Sequence, residues 1–186
     1  MNAGTATRWG RSLFFLLMAC ALTQAAAEEQ RVLELENGER IRYVLSAHTA
    51  DAHLLDAQAV LQPRSALNTA KLVTRYLSEG RVEDASLLSN APKARYARLR
   101  ESFEGWSEAD FRRAYGRYFD PENRIVGEIA IDGHRLLIWH LKDTDYLAAF
   151  FLVEIEDRLL IDDVPNEIRA NLRRVLQAYR DGKLRN

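Results

Sequence analysis

Histidine changes charge nearest neutral pH, so the four histidines of this 186-residue chain are its first candidates for proton transfer. His140 lies in the run HRLLIWHL, which is typical of a strand, and shares a strand face with Leu136 and Ile138. A general acid or base needs a partner within hydrogen-bond reach. The expected strand pairing puts Asp162 on the order of 13 Å from His140, too far for a dyad. The sequence therefore predicts a structural His140, and a solvent-facing His134 beside a turn.

The stretch HTADAHLLD, residues 48–56, contains side chains that can bind metals. His48 and His53 are interleaved there with Asp51 and Asp56. The stretch lacks the helical pair of histidines four residues apart, and it lacks the cysteine clusters that specify zinc. It is therefore interpreted as a polar connection, and no metal site is predicted.

Motifs that would specify a reaction are absent from the sequence. There is no nucleophile elbow for Ser/His/Asp catalysis and no glycine-rich phosphate loop. Paired acids such as Asp162-Asp163 fall where strands are expected to end, and solvated turn residues are their ordinary explanation. These features favour a protein that is not an enzyme and uses no cofactor.

The first residues have the order of a secretory leader. Arg8 and Arg11 precede an apolar run, residues 13–22, which is too short for the roughly twenty residues that cross a bilayer. Small residues up to Ala27 fit cleavage after that position. Cys20 follows Leu-Met-Ala, which resembles a bacterial lipobox. Cleavage after Ala27 is favoured, giving a periplasmic or secreted protein, and a membrane-anchored lipoprotein through Cys20 remains the alternative.

Charge and cysteine content narrow the class of protein. Cys20 is the only cysteine, so the mature chain must be stabilised by packing, without an internal disulfide. Without the leader there are 24 basic against 27 acidic residues, which argues against a general nucleic-acid binder. Residues 142–167 have eight acids and two bases, whereas residues 168–186 have six bases and one acid. These regions could attract each other, pair between two copies in a homodimer, or meet a charged partner.

The mature chain opens with a pattern typical of a β-hairpin, VLELENGERIRYVL. A three-residue loop, residues 36–38, places Leu33 opposite Ile41 and Glu34 opposite Arg40, which keeps apolar and charged side chains on separate faces. Residues 46–63 are predicted to be a connection with one or two helical turns.

Helices are predicted next, from Ser65 to about Gly80, over residues 82–88, over residues 93–106, and from the capping pattern at Ser107. The last of these has an aromatic stripe that includes Tyr115 and Tyr118 and is typical of a core. An amphipathic helix at residues 166–180 closes the chain.

Four β-rich runs lie between residues 125 and 163 and are joined by short connections, which indicates an antiparallel meander. A two-residue turn at Asp132-Gly133 pairs Ile129 with Leu136. The helices are expected to cover the one face whose members are Ile125, Ile129, Leu136, Ile138, Leu147, Phe151 and Val153. The predicted fold is α+β, with several N-terminal helices packed on a curved antiparallel meander, an N-terminal hairpin and a C-terminal helix.

The helical stretch TAKLVTRYLSEGRVEDASLLS and the late pair DYLAAFFLVEIEDRLLIDDV resemble the nuclear-transport-factor-two-like superfamily, which includes ketosteroid isomerases. The resemblance covers about residues 65–164 and implies a cone-like α+β domain with a cavity between sheet and helices. That cavity would be the default ligand site, and its candidate residues are His140, Tyr115, Tyr118 and Phe151. The domain plan is a leader at 1–27, a hairpin and connection at 28–64, and the α+β domain at 65–186.

Three functions remain open. The first is a non-catalytic envelope protein that binds a protein partner or a small apolar ligand. The second is a cofactor-free isomerase or cyclase that uses His140 with Tyr115 or Tyr118. The third is a structural or assembly lipoprotein, which contacts the membrane only if Cys20 is lipidated.

Overall fold

The computed structural model describes residues 28–56 and 58–184 as a six-stranded antiparallel sheet with α-helices, which confirms the predicted α+β class. The predicted lipidation at Cys20 and cleavage after Ala27 lie outside the described residues. The strands are β1 (Glu28–Glu34), β2 (Arg40–Ser46), β3 (Arg124–Ile131), β4 (His134–Leu141), β5 (Tyr146–Ile155) and β6 (Arg158–Ile161). They lie in the sheet in their chain order, each beside the next.

Four helices are inserted between β2 and β3, and a fifth follows β6. They are α1 (Ala66–Ser78), α2 (Val82–Leu87), α3 (Pro92–Ser102), α4 (Glu108–Gly116) and α5 (Glu167–Arg180). The connection before α1 forms turns, and none of its described residues is helical, so the one or two helical turns predicted there are wrong.

Helix starts follow local hydrogen-bonding signals. The Ser65 side chain accepts from the Asn68 amide at the start of α1, and Asn166 accepts from the Arg169 amide at the start of α5. Ser107 and Asp110 bond reciprocally as a capping box before α4, as the sequence predicts. These polar side chains satisfy amides that have no partner within the helix.

The N-terminal hairpin belongs to the main sheet. Leu33 lies opposite Ile41 in the β1–β2 pair, and Val44 of β2 lies opposite Ala130 of β3. The turn between β3 and β4 has the predicted register, with Ile129 opposite Leu136. Its two central residues, Asp132 and Gly133, both have positive φ, as a two-residue hairpin turn requires.

Helices cover both faces of the sheet, so the predicted single covered face is wrong. Residues of α1 pack with Leu137 and Trp139 on one face, called the α1 face here. Residues of α5 pack with Leu136 and Ile138 on the other, called the α5 face. Most of the side chains predicted to lie beneath the N-terminal helices therefore lie on the α5 face: Ile129, Leu136, Ile138, Leu147 and Phe151.

A β-bulge explains one further error. The β3–β4 register shifts between Ile125 and Gly127. An extra residue in one strand reverses the alternation of side chains beyond it. Ile125 accordingly packs with Trp139 on the α1 face, whereas Ile129 stays on the α5 face.

Candidate groove at the open edge of the sheet

The four predicted cavity residues do not share one cavity. Trp139 and His140 are neighbours on β4 and so face opposite sides of the sheet. The Tyr118 ring packs edge-on against Trp139 at 5.2 Å and stacks on Tyr115 at 6.2 Å, which places both tyrosines on the α1 face. Phe151 packs in the α5-face cluster. The pair required for the isomerase hypothesis, His140 with either tyrosine, is therefore not assembled.

The histidines have other partners than the sequence indicates. His140 Nε2 lies 2.8 Å from Asp145 Oδ1, whose side chain is 95% exposed. His134, predicted to face solvent, is only 14% exposed and lies 3.7 Å from the buried Asp162, so that prediction is wrong. The alternation of side chains predicted the strand faces. It did not reveal that the tight turn after β4 brings Asp145 back to the end of that strand.

Both histidines of the predicted polar connection have partners outside it. His48 Nε2 lies 3.0 Å from Glu128 Oε2, and His53 Nε2 lies 2.9 Å from the backbone oxygen of Asp120. His53 is fully buried beside Trp139, which is a structural position. Among the described residues no group of three or more potential ligands could hold a metal ion.

The outer edge of β5 is only partly covered. β6 pairs with residues 152–155 of β5, after which the chain turns away through Pro165 into α5. The outer side of β6 is itself covered, because the Ile161 amide donates to Leu88 O and Ile161 O accepts from the Asn90 amide. The first five residues of β5, Tyr146 to Phe150, therefore have a strand on one side and a groove of about 280 Å³ on the other.

Alternation along β5 identifies the backbone groups that point into this groove. The Glu154 amide donates to Gly133 O, so even-numbered residues of β5 are directed at β4. Odd-numbered residues point outward: Phe151 O accepts from the Asp162 amide, and Leu147 O accepts from Arg180. Between these two occupied carbonyls, the amide and carbonyl of Ala149 have no hydrogen-bond partner anywhere in the described part of the chain.

The groove wall on the α1 face is aromatic. Leu99, Tyr115, Tyr118 and Phe150 contribute to it, and Tyr146 lies at its outer end. Burial raises the pKa of Tyr118 to about 12, with smaller contributions from the neighbouring phenols of Tyr115 and Tyr146. Burial also raises the pKa of Tyr115. This wall therefore disfavours negative charge.

The opposite wall is cationic and comes from α5. The guanidinium groups of Arg169 and Arg173 lie 5.6 and 5.9 Å from the centre of the Phe151 ring. Arg180 reaches the same strand edge and donates to Leu147 O at 3.2 Å. One strand edge thus separates an aromatic wall from a wall of arginines.

Two carboxylates close the end of the groove. Asp162 is buried and accepts from Asn90 and Asn166 at 2.8 and 3.0 Å. Asp163 accepts from Ser89 and pairs with Arg95 and Arg98. Burial alone would raise the pKa of Asp163, but the Ser89 hydrogen bond and the Arg95 charge outweigh it and lower that pKa. Both acids therefore have partners within the fold.

A second cavity, of about 370 Å³, lies beneath the end of α5 on the α5 face. It is lined by apolar strand residues together with Tyr43 and Tyr179. Gly127 borders it, where an added Cβ would lie 3.1 Å from the Leu45 side chain. Apart from Arg31, which also lines it, its chemistry fits a small apolar ligand.

Sequence reasoning placed Tyr115, Tyr118 and Phe151 at a candidate site, and these three do line the groove. It missed the arginines of α5 and the open backbone at Ala149. The uneven charge of residues 142–186 was the available signal for the arginines. No sequence signal indicated the open backbone at Ala149, because the length of β6 depends on where the chain turns away from β5.

Comparison of the chain with protein-family models, curated proteins and solved structures finds no match. None of the helices in residues 28–56 and 58–184 is long and apolar enough to cross a membrane.

Proposed function

We propose that this protein is a non-catalytic binding protein of the cell envelope, and that its ligand is an extended segment of a protein partner. The segment adds as a strand along the open stretch of β5. The observation that carries the proposal is the unpaired amide and carbonyl of Ala149, which lie in a groove between two carbonyls that already have partners. An exposed strand edge is a template for an added strand.

The geometry supports a short segment. Five residues of β5 are open, and at about 3.3 Å per residue they span on the order of 16 Å. A partner residue opposite Ala149 in an antiparallel register would both donate to its carbonyl and accept from its amide. A further bond would engage the outward amide of Leu147, whereas Asp162 already occupies the position opposite Phe151. Main-chain bonds supply affinity in this mode, while the walls on each side select side chains.

A second copy of this chain fits the edge less well. Pairing two β5 edges would bring two α5 helices together, each with Arg169, Arg173 and Arg180 beside the shared strands. Like charges at such short range oppose association. A foreign segment has no such cost, so we propose a protein partner in preference to a homodimer.

The envelope location is proposed from the leader. A charged start, a short apolar run and small residues before Ala27 are the order of an exported chain. The tether through Cys20 is the alternative form of the same proposal. Membership of the nuclear-transport-factor-two-like superfamily also remains a proposal, supported by four helices followed by an antiparallel meander.

The test uses proline at two outward-facing positions. Ala149→Pro removes the groove amide without touching the β4 ladder, because this amide points away from β4. Gln30→Pro is the matched control on the opposite edge. The Leu35 amide donates to Glu39 O, so odd-numbered residues face β2 and Gln30 faces outward.

A displayed random-peptide library would be selected on the wild-type protein and on both variants. We expect peptides enriched on wild type and Gln30→Pro to be lost on Ala149→Pro. When such a peptide is bound, hydrogen exchange of the Leu147 and Ala149 amides should slow. Enriched peptides that bind Ala149→Pro equally well, or that leave these two amides unprotected, would overturn strand addition.

A further inference from the structure

Resting on the proposed function, we infer that the added segment alternates acidic and apolar residues, with its acids toward α5 and its apolar side chains toward the tyrosines. Successive side chains of a strand point to opposite faces of a sheet, and an added strand continues that alternation. Each wall of the groove therefore meets every second residue of the segment.

The arginines of the α5 wall lack acidic partners. Within the described residues, no carboxylate lies at ion-pair distance from Arg169, Arg173 or Arg180. The Nε atom of Arg169 is buried and has no hydrogen-bond partner there. A partly buried guanidinium with unused donors is a favourable site for a carboxylate, which it can bind through two parallel hydrogen bonds.

Other arginines around the groove are already paired. Arg174 on the same helix bonds to Glu39, and Arg95 bonds to Asp163. Burial lowers the pKa of Arg169, and the charge of Arg173 lowers it further, against the opposing effect of Asp162 and Asp163. The internal acids thus do not neutralise this wall, although the charge of residues 142–167 suggested that they could.

The tyrosine wall favours apolar side chains over acidic ones. Leu99, Tyr118 and Phe150 present apolar surface there, and the raised pKa of Tyr118 reports an environment that disfavours anions. An acidic side chain on this side would lose solvation without gaining an unpaired cation, because Arg95 is already paired with Asp163. Apolar side chains would instead be desolvated against aromatic rings.

The experiment measures binding of capped, fluorescently labelled synthetic peptides by anisotropy. One peptide alternates Asp with Val, a second has the same composition with all Asp residues before all Val residues, and a third alternates Lys with Val. We expect the alternating Asp peptide to bind about tenfold more tightly than the second, which corresponds to about 1.4 kcal/mol. The Lys peptide should bind least, and added salt should weaken the Asp peptide most.

Variants assign the charge effect to one wall. Arg169→Gln and Arg173→Gln should each weaken the alternating Asp peptide several-fold. Arg174→Gln, on the same helix but paired with Glu39, should leave its affinity unchanged. Because Arg173 is exposed, its variant tests the inference even if Arg169→Gln folds poorly.

The outcomes separate the two proposals. Equal binding of the alternating and segregated peptides, with the Leu147 and Ala149 amides protected, would refute the acidic pattern and leave strand addition standing. If no peptide, synthetic or selected, protects these amides, both proposals fail. A wild-type protein whose amides at this edge are protected by its own dimerisation, measured by sedimentation, would assign the groove to a second copy and overturn both.

Discussion

The sheet ends in two open edges that differ in chemistry. β1 offers the sequence EEQRVLE, in which charged side chains predominate and Glu28 and Glu34 are both exposed. The open stretch of β5 is YLAAF, with no charged residue of its own. The charges near β5 come instead from α5, placed beside the strand by the tertiary fold.

The difference shows two outcomes for exposed backbone groups. The charged side chains of β1 protect its edge, whereas the groove makes the edge of β5 available for binding. Charged side chains along an edge discourage other strands from pairing with it. At β5 the apolar strand sits in a groove, so a segment that pairs with it also gains contacts on two walls. Equal exposure of backbone groups therefore does not mean equal capacity to bind.

The largest expected effect separates the paired side of β5 from its open side. Ala148 lies opposite Trp139 and directs its amide at β4, whereas Ala149 directs its amide outward. Ala148→Pro should therefore cost about 3 kcal/mol of unfolding free energy or more, because it breaks the ladder beneath a buried core. Ala149→Pro should cost much less. Urea denaturation of both variants measures the contrast, and equal losses would mean that the β5 edge is not open.

A smaller effect concerns the acid that helps turn the chain away from β5. Asp163 is 8% exposed and paired with Arg95 and Arg98, so Asp163→Asn should cost about 2 kcal/mol at pH 7. The folded pKa of Asp163 is lowered, so its contribution is fully present above the unfolded value of 3.8 and is lost as the pH falls through the folded pKa.

The free energy of unfolding, measured by urea denaturation between pH 7 and pH 3, tests this sign. The difference between wild type and Asp163→Asn should shrink below about pH 4. If the difference in the free energy of unfolding stays constant down to pH 3, the loss of stability comes from packing and not from charge. Glu83→Gln, at an exposed position on α2, is the control and should show little pH-dependent difference.

The smallest expected effect tests the protection of β1. Glu28→Gln combined with Glu34→Gln should leave stability within about 0.5 kcal/mol of wild type but allow weak self-association at high concentration. The matched control is Glu83→Gln with Glu101→Gln, which changes net charge equally on α2 and α3. Sedimentation velocity compares the two double variants. Identical behaviour would show that the charges of β1 do not protect its edge.

Local features of the fold were predictable because they depend on neighbours in the chain. The cap at Ser65, the capping box of Ser107 with Asp110, and the turn at Asp132-Gly133 each arise from contacts within a few residues. The aromatic positions of the candidate groove were also predictable, since Tyr115 and Tyr118 belong to one helical stripe. The surroundings of His140 were not predictable. Its neighbour Trp139 is buried, so both faces of β4 have an apolar pattern.

By itself, the sequence determined an α+β chain with an antiparallel meander, because alternation and helical periodicity record which side chains must leave water. It also determined the uneven charge of its last third. The tertiary structure alone decided which helices cover which face, how a bulge moves Ile125 to the other side, and where β6 ends. These depend on contacts between distant segments, and a shift of one residue reverses a strand face. The open edge at Ala149 is a consequence of those contacts.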